Sequence, residues 1–86
     1  MMDSNLQKHR TVDPRQFRAA RSLLDWTLDE AAAHCGVGRA TLVRLERGDE
    51  QLIDRTVAAV VTGFEKNGVY FFDDERGRGV AIRSVR

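Results

Sequence analysis

The sequence is poor in the features that staple, anchor or arm a chain. It has one cysteine, Cys35, in 86 residues, which excludes an intrachain disulfide and a multi-thiolate metal cluster. No apolar run approaches the roughly 18–20 residues that a membrane-spanning helix needs, so no membrane partner is expected. The N-terminal MMDSNLQKHRTVD lacks the apolar middle of a secretory signal, and the chain is expected to be cytoplasmic. There is no paired His/Cys or His/Ser constellation and no phosphate-binding glycine motif. His34 has no acidic neighbour at metal-ligand spacing. Asp73, Asp74 and Glu75 read as a solvated loop rather than a metal cage. The expectation is therefore a protein that is not an enzyme, with no catalytic residue, no metal and no cofactor.

What is present is a single small domain, near the lower size at which a core holds unaided. That size favours help from a second subunit. The net charge of +1 hides an asymmetry: residues 1–48 hold eight Lys/Arg against six Asp/Glu, and residues 49–76 hold three against seven. The last ten residues add three arginines and no acid. One basic surface and one turned away from a polyanion would produce this pattern.

Residues 1–12 are polar and aperiodic and read as a loose arm, in which Lys8, His9 and Arg10 could brush phosphates. Order is expected from Asp13. Asp13, Pro14 and Gln16 form a capping box with proline at the first helical position, predicting a helix over 14–24. Phe17, Ala20, Arg21 and Leu24 share one stripe of it. An arginine on an apolar stripe costs heavily without a partner. Trp26 reads as a plug between this helix and the next. Thr27 and Glu30 form a second capping box, for a short helix ending near Cys35 with Gly36 as its left-handed cap. Ala31 and Ala32 permit close helix approach, and Cys35 reads as a small buried hydrophobe.

After Gly36, Val37 and Gly38, a third helix is predicted over 39–47 and closed by Gly48. At about 100° per residue, Arg39, Ala40, Val43, Arg44 and Arg47 span about 140° of its circumference. Leu42 and Leu45 point the opposite way, and Glu46, beside them, is expected to face inward. So narrow an apolar side must lean on a neighbouring helix, and a basic helix propped on a shorter partner is what entering a DNA major groove requires. Asp54 can cap a fourth helix over 55–66 with Val57, Val60, Val61 and Phe64 buried. Beyond Asn67 and Gly68, the β-formers at 69–72 and 80–82, separated by DDERGRG, predict a hairpin with a longer loop. The domain divides as an arm (1–12), a helical unit (13–66) and a hairpin (67–86). The hairpin is a candidate dimer element through Tyr70, Phe71, Phe72, Val80 and Ile82, or equally a lid on its own core.

Residues QFRAARSLLDW and TLDEAAAHCGVGRATLVRLERG resemble the Cro/C1-type helix-turn-helix regulators, the XRE family. The remainder, TVAAVVTGFEKNGVYFFDDERGRGVAIR, is similar to a subgroup of very small bacterial members. The resemblance implies a mainly α, lambda-repressor-like bundle of four helices followed by a C-terminal β-hairpin. It implies base readout by Arg39, Ala40, Val43 and Arg44, and backbone contacts at Thr27, Leu28, Gly38, Thr41 and Arg47. It also implies a structural ion pair between Arg21 and Glu46. Leu28 replaces a common glutamine, Ala31 a common leucine, and Gly38 a common serine cap. The implied function is a sequence-specific transcriptional regulator, a homodimeric repressor or controller protein on an inverted-repeat operator in double-stranded DNA, nucleoid-associated when bound. An antitoxin or protein-interaction module is the alternative, with RNA polymerase or a partner protein as further contacts.

Overall fold

The structure, a computed structural model, describes residues 12–49 and 53–83. The described residues form four helices and a two-stranded antiparallel hairpin, a mainly helical fold. The helices are α1 (Pro14–Leu23), α2 (Leu28–Cys35), α3 (Arg39–Arg47) and α4 (Asp54–Lys66), and the strands are β1 (Val69–Asp74) and β2 (Gly77–Ile82). None of these helices is long and apolar enough to cross a membrane. The arm lies outside the described residues except for Val12, which packs against the core.

Local chemistry sets the helix ends. Asp13 accepts from the Arg15 N–H at 2.7 Å while Gln16 accepts from the Asp13 N–H at 2.8 Å, satisfying donors that a helix start leaves open. α1 ends where Asp25 takes a left-handed φ of 59°, a conformation aspartate tolerates better than most side chains, and the Trp26 N–H closes back on Arg21 O at 3.1 Å. Thr27 and Glu30 exchange bonds of 3.1 and 2.8 Å at the start of α2. α3 begins at Gly38 without a side-chain cap and ends at Gly48, φ 86°. There the N–H groups of Gly48 and Asp49 return to the last turn of the helix.

Two sequence expectations need correction. Asp54 does not cap α4. Ile53 occupies that position with no side-chain bond, and Asp54 lies in the first turn, where its charge meets the positive end of the helix dipole. The hairpin loop is also shorter than the polar DDERGRG implies. The strands continue to Asp74 and Gly77, leaving Glu75 and Arg76 as the turn. Asp73 faces Arg78 across the strands at 3.2 Å, so opposite charges replace the apolar alternation that normally marks a strand. The Asp74 carboxylate accepts from the Arg76 N–H at 2.9 Å and folds the turn.

The core gathers Phe17 and Ala20 of α1, Ala31, Ala32 and Cys35 of α2, Leu42 and Leu45 of α3, Val60, Val61 and Phe64 of α4, and Val69 and Phe71 of β1. Phe71 stands between Phe17 and Phe64, with ring centroids 5.7 and 6.1 Å away. Trp26 stacks on Phe64 at 5.6 Å and on the exposed His34 at 4.2 Å. α2 and α4 meet at Gly63, where a Cβ would lie 2.7 Å from Cys35 Sγ and 2.8 Å from its Cα. A glycine inside a helix sacrifices about 1 kcal/mol of propensity relative to alanine, and here it permits that contact.

Candidate nucleic-acid interface

α3 is exposed along one face and fixed along the other. Leu42 is fully buried, and Leu45 and Glu46 nearly so. Their burial places Arg39, Ala40 and Arg47 in solvent, with Val43, Arg44 and Thr41 half-buried at the margins. The inward side is clamped by charge as well as by leucines. Arg21 donates through Nε and Nη2 to the two Glu46 carboxylate oxygens at 2.7 and 3.0 Å. Its Nη1 donates to Trp26 O at 3.1 Å. A two-bond guanidinium–carboxylate pair fixes orientation as well as distance. These bonds hold the Arg21 guanidinium above its ordinary pKa, against the opposing effect of its own burial. Arg18 donates to the Glu46 carbonyl, one of the acceptors that a helix C-terminus leaves open.

The exposed face is neither bare nor uniformly cationic. Arg39 Nε lies 3.3 Å from Asp29 Oδ1 in the first turn of α2. Arg44 Nε and Arg47 Nη2 both lie 3.5 Å from Asp49 Oδ2. The Arg39 and Arg47 side chains remain 60% and 66% exposed.

The residues assigned to phosphate contact divide. Thr27 and Gly38 are exposed at the starts of α2 and α3; the capping box takes the Thr27 and Glu30 N–H groups of the first, and no side chain caps the second. Leu28 is half-buried and packs against the core, so it offers a phosphate only its main chain. The Thr27 hydroxyl already accepts the Glu30 N–H and retains its own proton to donate.

The residues assigned to dimerisation also divide: strand alternation turns Tyr70 and Phe72 away from Phe71, while Ile82, on the face of Val80 and opposite Val69, is exposed at the end of β2. Phe71 faces the chain's own core, and Val80, its cross-strand partner, packs against that core. Phe71 therefore offers a second copy almost no surface in this fold. Tyr70 and Ile82 remain exposed at 46% and 45%. Phe72 is half-buried, with the Arg76 guanidinium 4.9 Å above its ring. A Cβ on its partner Gly79 would come within 2.6 Å of the same ring.

Sequence reasoning missed two clasps. Gln16, 5% exposed, donates through Nε2 to Phe72 O at 3.1 Å and Gly79 O at 2.8 Å, bolting the hairpin to α1. Arg18 holds the end of α3. Both reach main-chain carbonyls far along the chain, a contact that leaves no side-chain pattern to read. Compared with known proteins, the chain matches no family model and finds no significant match among curated proteins.

Proposed function

We propose that this chain is a sequence-specific DNA-binding regulator that acts as a homodimer on an inverted repeat, its four helices forming a lambda-repressor-like helix-turn-helix unit. α3 enters the major groove. Arg39 and Arg44 donate paired hydrogen bonds to guanine O6 and N7, and Ala40 and Val43 meet thymine methyl groups. Arg47, with the first-turn N–H groups of α2 and α3, grips phosphates.

The observation that carries this reading is the asymmetry of α3. Its arginine face is open, while its other face is locked by Leu42, Leu45 and the Arg21–Glu46 and Arg18–Glu46 bonds. A reading helix must not rock on its base, because base-edge hydrogen bonds tolerate only small displacements. The resemblance of residues 14–83 to Cro/C1-type regulators points the same way. One short helix specifies too few bases alone, so two copies read half-sites about one helical turn, roughly 34 Å, apart. Tyr70 and Ile82 are the hairpin side chains available to a second copy. A stoichiometric protein that co-purifies on the same surface would favour the antitoxin reading instead.

The test is enrichment of bound sequences from random duplex DNA at stated salt. The expected product is a palindrome with guanine in each half-site. Recovery of no preferred sequence would overturn the reading.

A further inference from the structure

The acids that touch the arginine face are fixed at helix ends. Asp29 lies in the first turn of α2, whose start is held by the reciprocal Thr27–Glu30 bonds. Asp49 follows Gly48 in the closing motif of α3, and its own N–H returns to Arg44 O at 3.1 Å. Their main chains are thus set by the same caps that set the two helices. In the Arg39 and Arg44 pairs, the approach is to Nε, the inner nitrogen of the guanidinium. The edge formed by the two Nη nitrogens is the one left to meet a base, and that edge matches guanine O6 and N7 as a fork.

We propose that Asp29 and Asp49 are positioning residues for base readout: each holds one arginine, Arg39 or Arg44, by Nε so that its outer Nη edge is presented to guanine. The inference rests on the DNA-binding reading above. An unrestrained arginine loses much rotamer freedom on docking, and one already held loses less. The same carboxylates oppose phosphate. A side chain that leaves its aspartate for the backbone gives up an ion pair and leaves a negative charge beside the polyanion. A guanine contact through the outer edge keeps the pair. The acids therefore favour base readout over indiscriminate phosphate binding. Asp49 also touches Arg47, so its effect on backbone binding exceeds that of Asp29.

The test compares wild type with Asp29→Asn and Asp49→Asn in the full chain, each checked for its helical circular dichroism. Affinity is measured for the duplex enriched by wild type and for a scrambled duplex, at matched salt. Each variant should bind the scrambled duplex more tightly and the enriched one more weakly. Each change should be about two- to fivefold, the scale of an exposed ion pair. In the free protein, the Nε–Hε magnetic resonance of Arg39 should move in Asp29→Asn and not in Asp49→Asn, and that of Arg44 the reverse. If both affinities rise together, the acids only compete with phosphate and the inference is overturned. Unchanged affinities or unmoved resonances overturn it as well. A wild-type chain that enriches no sequence overturns the DNA reading and this inference with it. Enrichment by wild type with an unchanged ratio in the variants overturns this inference alone.

Discussion

Glu46 joins three parts of the molecule: its carboxylate takes two bonds from Arg21, its carbonyl takes one from Arg18, and its helix carries the exposed arginines. Glu46→Ala leaves the half-buried Arg21 guanidinium without its counter-charge and should cost about 3 kcal/mol in urea unfolding. Replacing both partners by apolar residues of similar size should cost much less, because no charge is stranded. A result in which the single and double changes cost the same would contradict a mutual pair. Cys35 makes the opposite point. Burial pushes its thiol up to about 11, so at pH 8 it should resist alkylation in the native protein and react once urea unfolds the chain. That Arg21 needs an anion was legible because an arginine on an apolar stripe demands one, and the resemblance to Cro/C1-type regulators implied Glu46 as the partner. The bonds of Gln16 and Arg18 were not legible, since their partners are carbonyls that any sequence supplies.

At the scale of elements, the helices were legible and the hairpin only in part. Capping boxes at Asp13 and Thr27 and left-handed glycines at 36 and 48 mark helix ends directly. The hairpin's extent depends on pairing. Asp73 and Arg78 belong to strands because they face each other, which the polarity of the segment conceals. Beside the burial of Val69 and Phe71, the hairpin is tethered by Gln16, so Gln16→Ala should expose the carbonyls of Phe72 and Gly79, open the Asp13 cap as well, and cost about 1–3 kcal/mol. Hydrogen exchange should accelerate in the hairpin more than in α4, and uniform acceleration would contradict a local clasp. Deleting the hairpin would strip Val69 and Phe71 from the core, so its role between copies is better tested by Tyr70→Ser with Ile82→Ser in the full chain. If two copies pair through the hairpin as proposed, light scattering should then report a weaker dimer with an intact fold, and an unchanged dimer would remove the hairpin from the interface.

Over the whole molecule, charge is distributed by task. Asp13 caps α1, and hydrogen bonds from the Arg15 side chain and N–H, with Arg78 nearby, hold its carboxyl well below the ordinary range. A lowered folded-state pKa contributes stability that is fully present above the unfolded value, near 4, and is lost as pH falls below it. Asp13→Asn keeps a competent cap and removes that dependence, so its acid-unfolding profile below pH 4 should be flatter than that of wild type. A parallel profile would contradict the assignment. The exposed arginines of α3 are the other end of this arrangement, and their meaning depends on what they touch. The most direct measurement is a titration of the enriched duplex, its single-base variants and a scrambled duplex, over a series of salt concentrations, with wild type, Arg39→Ala, Arg44→Ala and Arg47→Ala. The first two variants should each lose about 1–3 kcal/mol and relax preference at one base per half-site, whereas Arg47→Ala should weaken all sequences alike and reduce the salt slope by about 1. Binding of every duplex by the Arg39 and Arg44 variants at wild-type strength would contradict the central claim that this face of α3 reads DNA.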